Sequence, residues 1–527
     1  MEIMKKYISM PLLVGCLAMT ACSDDWNSHY SDQREGMSSL TLLEQIKSDP
    51  ELSEFAEMVE RSGYSPLLES TQTVTVWAPV DGSMGSIDMD DENEIYRTVT
   101  NHIARFNIST STPGQEGVKM LNGKLFYFSE GAAVFGDAPL VESDIRARNG
   151  ILHKVASPIS YSYNFREYID IHAETSSIAE FIGRFDEMLL PSEVPGSGSV
   201  SAADTARVSF NRLLQYPVYG LGDIASEDSV FTMVIPDNHA WQQAYEEIKP
   251  YFKTYNADAS KADSIQDAQT KLAIVSDLIF RTGLQNPLAL DSLKSTSGSV
   301  IRNPGGFFNG MDEINASNGH IFLASSLNYD MAETFNKPIV VEAEEQMGRT
   351  PAAGTTVYTR NLSTDNAYAD QVSGQQYLEV SPTSSSRQPG ITFSLPNVLA
   401  GAYDIYAVFV PAVAADATNV NDSTKMQFAV TYIGENGRSQ NKSFASSDFV
   451  TSPTEITTIK VAEAFKFPTA EYYDRVWLTD PQHDLKDRTF STSLYVTTNV
   501  SNAEFNNNQF TRRFRIDRIY LVPVKEE

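Results

Sequence analysis

The sequence predicts a multidomain chain: two related α+β domains followed by an all-β sandwich. Three observations lead there. The chain has 527 residues, of which 41% are hydrophobic, 10% aromatic and 20% charged. That is an ordinary globular balance with enough length for about three domains. An apolar helical opening, a β-rich run closed by proline and an Asn-Gly strand occur twice. Pro236 stands 157 residues after Pro79, and Asn318 stands 169 after Asn149. A repeat this long points to duplicated domains rather than a solenoid. From Lys337 onward the helical period fades, and short β-rich runs parted by turn residues take over.

The N-terminus reads as an address. Lys5 and Lys6 precede an apolar run that is too short for the ~20 residues of a membrane span. The run ends in Met19-Thr20-Ala21-Cys22, which resembles the cleavage box of bacterial lipoproteins. The resemblance implies that residues 1–21 are a signal peptide and that Cys22 carries the lipid. Acyl chains hold a protein on a membrane at about 0.8 kcal/mol per buried CH₂. Ser23-Asp24-Asp25-Trp26 resembles the export signal of Bacteroidota-type surface lipoproteins. It implies an outer-membrane protein facing the cell exterior, with residues 22–38 as a flexible tether. The competing reading is an ordinary signal peptide with a chance cysteine.

Charge and cysteine content exclude several classes. Lys+Arg total 40 and Asp+Glu total 68, a net charge of -28. Nucleic-acid binding needs a basic footprint, and the chain has none overall. Two cysteines, Cys16 and Cys22, leave no disulfide framework and no thiolate zinc cluster.

In the first domain, residues 39–162, Leu42, Leu43 and Ile46 share a helical face. Ser48-Asp49-Pro50 then resets the helix with a capping side chain before a proline. Leu52, Phe55, Met58 and Val59 continue at helical spacing until Gly63. Thr73 to Ala78 is a strand closed by Pro79, and Gly150 to Ile159 is a second. The acidic run Asp88–Glu94 invites a calcium-loop reading, but Asn93 and Val99 occupy the positions of the required glycine and glutamate. An acidic helix start fits better.

Thr75-Val-Trp-Ala-Pro79-Val-Asp-Gly-Ser-Met84 resembles the first signature of fasciclin-like domains. Asn149-Gly-Ile-Leu-His153-Lys-Val-Ala-Ser-Pro158 resembles their second, with Asn101-His102-Ile103 between them. Residues 163–336 resemble a second copy, with an inserted Pro/Gly/Ser loop near 191–206. There Phe322 takes the place of His153, and Asp277 that of His102. Histidines 102 and 153 read either as an adhesion or metal site or as buried hydrogen-bonding residues of the core. Trp77 and Trp241 read as core.

Residues 337–527 carry many short strands. Val340-Val-Glu342-Ala-Glu344 at the start and Phe514 to Val522 at the end resemble the first and last strands of jelly-roll, galactose-binding-like carbohydrate-binding modules. The resemblance implies a structural calcium ion held by Glu342, Glu344 and Asp517. Two carboxylates on one face of a strand suit a hard cation. The alternative is a pairing of these carboxylates with Arg515 or Arg518. Trp477 with Tyr472 and Tyr473 reads either as a stacking platform for a glycan or as strand core.

Catalytic signatures are scarce. The sequence holds no His-Glu-x-x-His, no Gly-x-Ser-x-Gly and no phosphate loop ending in Gly-Lys-Ser/Thr. The reading is a non-enzymatic surface lipoprotein for adhesion or glycan or protein binding. Its alternative is an accessory glycan-binding subunit of a Sus-type TonB-dependent outer-membrane importer. A polysaccharide hydrolase ranks third.

Overall fold

The computed structural model describes residues 39–111, 117–129, 131–197, 206–217, 220–282, 286–328, 330–472 and 491–525. Internal contacts divide the chain into two compact units, Met1–Ser162 and Tyr163–Glu527.

The first unit opens with α1 (Leu42–Ser48), α2 (Ser53–Arg61) and α3 (Ser65–Glu69). Thr41 and Glu44 close a capping box on α1, each side chain taking the other's main-chain N–H. Strand β1 (Val74–Pro79) leads to α4 (Glu92–Asn101), then β2 (Ile103–Arg105), β3 (Val118–Lys119), β4 (Leu125–Phe126), β5 (Phe128–Ser129), β6 (Val134–Phe135), β7 (Ala138–Ala147) and β8 (Gly150–Val155). The main sheet runs β2-β1-β8-β7-β6-β5, with β1 parallel to β8. Both central strands are buried along their whole length, which explains their near-continuous apolar runs. Leu42, Phe55, Val76, Ile95 and Leu152 belong to one core; Trp77, Phe135, Val155 and Ile159 belong to another. Each such buried side chain is worth about 1.5–3 kcal/mol. The acidic run begins α4 as expected: Asp91 caps it by accepting from Asn93 N–H at 2.8 Å.

The expected cap at Asp49 is not formed. Asp49 ends α1 and pairs with Lys154 at 2.5 Å, and α2 starts only at Ser53. Its cap comes from far along the chain. Asp81 accepts from Ser53 N–H (3.1 Å) and Glu54 N–H (2.9 Å).

The second unit repeats the plan. Helices α5 (Phe165–Ile171) and α6 (Ser176–Gly183) open it. The hairpin β9 (Asp186–Leu189) and β10 (Val208–Asn211) flanks the inserted loop, of which residues 198–205 lie outside the described residues. Strand β11 (Phe231–Pro236) is followed by α7 (Asn238–Ile248), α8 (Ala259–Ser276) and β12 (Ile279–Phe280). After the pair β13 (Leu293–Lys294) and β14 (Val300–Ile301) come β15 (Asp312–Ala316) and β16 (Gly319–Ala324). The sheet order is β12-β11-β16-β15, with β11 parallel to β16. Between β11 and β12 this copy carries α7 and the 18-residue α8, where the first has only the 10-residue α4.

Residues 339–524 supply β17 (Ile339–Glu342), β18 (Arg349–Pro351), β19 (Thr355–Asn361), β20 (Gln376–Pro382), β21 (Gly390–Ser394), β22 (Gly401–Phe409), β23 (Lys425–Ile433), β24 (Ser439–Val450), β25 (Thr457–Phe467), β26 (Ser493–Thr498) and β27 (Phe514–Val524). One antiparallel sheet runs β19-β20-β27-β22-β25, with β17 also paired to β27. The other runs β18-β21-β26-β23-β24. Inward residues of both, such as Ile405, Phe409 and Ile516 from one and Phe393, Phe428 and Val496 from the other, make a common core. This β region is continuous with the second copy. Leu399 and Ala470 belong to that copy's hydrophobic cluster. Ala400 N–H donates to Tyr251 O at 2.8 Å, and Ala470 N–H to Lys253 O at 2.6 Å.

Candidate functional site

The motif residues of the first unit are spent on its architecture. Asn149 Oδ1 accepts from Leu42 N–H at 2.9 Å. Its Nδ2 donates to Leu68 O (2.9 Å) and Ser70 O (2.8 Å). The asparagine therefore ties the start of α1 to the segment that enters β1. The next residue, Gly150, lies so close to β1 that an added Cβ would sit 1.9 Å from Val74 O.

The two histidines use all four ring nitrogens on main chain. His102 Nδ1 donates to Thr98 O at 2.7 Å, and Nε2 accepts from Ile159 N–H at 2.9 Å. His153 Nε2 donates to Ile108 O at 2.9 Å, and Nδ1 accepts from Asp144 N–H at 3.2 Å. Burial pushes the His102 imidazole down to about 4, and burial lowers His153 as well. Both rings are therefore neutral at physiological pH, with no lone pair left for a metal. Trp77 is buried, stacked 4.1 Å from Phe135 and 5.3 Å from His153 between ring centroids. Trp241 is buried beside Phe181.

The second copy keeps part of this and changes the rest. Asn318 Oδ1 accepts from Phe165 N–H (3.3 Å), and its Nδ2 donates to Ile224 O (2.9 Å) and Ser226 O (3.1 Å). A Cβ on Gly319, at φ +141°, would sit 1.8 Å from Phe231 O. Asn238 takes the role of Asp81, accepting from Ser177 N–H in the first turn of α6 at 2.9 Å. Phe322 pairs with Val234 as His153 pairs with Trp77, so it does replace His153. The other replacement is displaced by one residue. Trp77 N–H donates to His102 O, and its counterpart Val234 N–H donates to Leu278 O. Leu278, not Asp277, therefore stands where His102 does. Asp277 turns to the hydroxyls of Ser295 (2.7 Å) and Ser297.

In the β region the three acidic residues lie at one end of the β17–β27 pair. Ala343 N–H donates to Asp517 O at 2.9 Å. Strand β17 ends at Glu342, so Glu344 lies in the turn beyond rather than on the strand face. Asp517 is 0% exposed. Its Oδ1 accepts from Ser373 N–H (3.0 Å) and its Oδ2 from Arg518 (2.7 Å). Ser373 Oγ also donates to Glu342 Oε1 at 2.8 Å, so this serine, which the sequence did not flag, bridges two of the acids. The left-handed pair Gly374 and Gln375 just after it marks the turn that brings it there. Arg515 turns instead to Glu379 at 3.3 Å. Glu342 Oε2 and Glu344 Oε2 are buried without a hydrogen-bond partner. Burial, reinforced by Glu342 and Glu344, pushes Asp517 up to about 7 against the pull of Arg518. Burial and the neighbouring Glu342 and Glu345 also raise Glu344. Orphaned oxygens and crowded carboxylates fit a hard cation. The three side chains do not close around one point, however. Among the described residues no group of three or more His, Cys, Asp or Glu is set as a metal-ligand cluster.

Tyr472 is half-buried, its ring edge-on to Phe252 at 5.2 Å. It lines a cavity of about 60 Å³ with Gln269, Asp277, Ser299 and Lys337. Cys22, Tyr473 and Trp477 lie outside the described residues.

Residues 50–161 match the Fasciclin domain family. No curated protein matches the chain. Among solved structures, the chain is similar to a FAS1 domain pair from the insect cell adhesion molecule fasciclin I, at 14% identity. That match covers 54% of this chain and 98% of that one, with a TM-score of 0.21. It is also similar to the CBM22-1–GH10 modules of Clostridium thermocellum endo-1,4-beta-D-xylanase 10B. There the identity is 17% and the coverage 34% of this chain and 26% of that one, with a TM-score of 0.21. A third is the CBM22-1 xylan-binding domain of Paenibacillus barcinonensis Xyn10C. There the identity is 14% and the coverage 36% and 94%, with a TM-score of 0.20.

Proposed function

We propose that the chain is a non-enzymatic surface lipoprotein that binds proteins or glycans, held to the outer membrane through Cys22. The observation that carries the binding reading is the use of the motif residues. In a segment matching the Fasciclin domain family, Asn149, His102 and His153 spend their polar atoms on main-chain partners. Such a domain presents a surface, not a reactive centre. The anchor reading rests on Met19-Thr20-Ala21-Cys22. Replacing Cys22 by Ala should release the protein from membranes and abolish lipid labelling. Unchanged membrane partitioning of that variant refutes the anchor.

The second reading, an accessory glycan-binding subunit of a Sus-type importer, is favoured by the acidic Ser23-Asp24-Asp25-Trp26 and by the two-sheet β region. It requires oligosaccharide affinity or co-purification with a TonB-dependent barrel. Blank glycan arrays together with repeated pull-downs lacking a barrel rule it out. In either role the orphaned Glu342 and Glu344 oxygens favour a structural calcium ion in the β region, bound once Glu342, Glu344 and Asp517 draw together around it. Calcium at 100 times its Kd should then stabilise the fold by about 2.7 kcal/mol. A melting curve that is the same in calcium and in chelator removes the ion from the proposal.

A further inference from the structure

The first unit contains an open cavity of about 560 Å³ at the β2 edge of its sheet, within the size range of small-molecule sites. Its walls include Phe106, Ile108, Met120 and Phe128, and Arg105 and Lys119 stand exposed at the same cavity. Phe106 is the unusual member. It is 73% exposed and has φ +72°. The left-handed region is costly for a bulky side chain, and an aromatic ring in water recovers nothing by burial.

The backbone nevertheless fixes this residue firmly. Phe106 N–H donates to Thr73 O at 2.8 Å, and Phe106 O accepts from Thr75 Oγ1 at 2.8 Å. The same hydroxyl accepts from Ile108 N–H at 2.9 Å. The main chain that carries the ring is thus fixed beside the cavity by β1, so a ligand stacking there has only the side chain left to order.

We propose that this cavity binds small amphipathic anions: a flat apolar ring body bearing one carboxylate or sulfonate. The apolar walls take the ring. Arg105, exposed at the cavity on a chain of net charge -28, takes the acid group. A sugar fits poorly, because its hydroxyls would face walls with few polar side chains. The proposal is independent of the glycan reading of the β region and of the membrane anchor.

The test is isothermal titration of the full chain with 2-naphthoate and with 2-naphthalenemethanol, which share a ring and differ in charge. The acid should bind about tenfold more tightly than the alcohol at low salt. The variant Arg105→Gln should erase that preference while keeping the alcohol's affinity. Phe106→Ala should weaken both ligands. Phe106→Asn, which suits a left-handed φ, should lose binding while its melting temperature holds or rises. No binding of either ligand, equal affinities in the parent chain, or variants that bind like the parent overturn the proposal. So does a fall in melting temperature in Phe106→Asn, because it would make the ring a packing residue.

Discussion

The two copies of the repeated α+β plan agree where the chain crosses itself and differ where it fills space. Both hold an Asn-Gly step that ties the first helix to the loop before the central strand, at Asn149-Gly150 and Asn318-Gly319. Both cap a helix from the residue two after the strand-ending proline, Asp81 in one and Asn238 in the other. The histidines are not shared: Leu278 and Phe322 stand in for His102 and His153. The signature therefore has two parts. One is a lock that the topology demands. The other is a set of polar core contacts that an apolar side chain can replace.

The largest effect that can break this division is on the glycines. Gly150→Ala and Gly319→Ala each drive a methyl into a carbonyl oxygen at under 2 Å. A loss of more than about 4 kcal/mol is expected at both positions. Hydrogen exchange of the β1/β8 and β11/β16 amides reads each copy separately. A tolerated alanine in either copy would show that the lock belongs to one copy alone.

Next come the asparagines. Asn149→Ala removes three hydrogen bonds from buried or half-buried groups, and Asn318→Ala removes three equivalents. At about 1 kcal/mol per bond, each should cost about 3 kcal/mol in chemical denaturation, with similar values in the two copies.

The histidines should separate the copies by pH. His102 falls to about 4 in the fold because burial disfavours its charged form, against ~6.5 unfolded. Between those values the unfolded chain binds more protons, so stability drops as the pH falls through that window. Moving from pH 7 to pH 5 should cost the first copy about 2 kcal/mol from His102. His153 acts in the same direction. Leu278 and Phe322 do not titrate, so the β11/β16 amides should lack this contribution. The same pH slope in both copies would contradict the assignment.

Those comparisons also show what the sequence can reveal. The repeat, the central strands and the buried tryptophans follow from local pattern, because a strand buried on both faces is mostly apolar, its few polar members such as Thr75, His153 and Lys154 each finding a partner. The Asp81 cap of α2 does not, because the bond spans Ser53 to Asp81 and only the fold brings them together. The one-residue displacement of Asp277 has the same origin. Strand pairing sets that register, and a shift of one residue moves a side chain to the other face. At the acidic cluster the three carboxylates were legible from their resemblance to a family. The bridging Ser373 was not, because a turn far along the chain delivers it.

The smallest effects belong to the seam between the second copy and the β region, and they decide what holds it. Among the described residues the first copy has no such partner within its own unit, whereas the second shares its core with Leu399 and Ala470. Tyr403 is buried; its hydroxyl donates to Asn336 Oδ1 at 3.1 Å and accepts from Leu399 N–H at 3.2 Å, so Tyr403→Phe leaves a buried acceptor and a buried donor unpaired. About 1–2 kcal/mol should be lost from the second unit. Lys253 pairs with Glu435 at 2.6 Å, but both side chains are more than half exposed. Two flexible ions in water gain little by meeting. The firm contribution of Lys253 is its main-chain carbonyl, which accepts from Ala470 N–H whatever the side chain. Lys253→Ala should therefore leave the unfolding midpoint where it is, at low and at high salt. A salt-dependent loss larger than that of Tyr403→Phe would mean that charge rather than shared core joins the second copy to the β region.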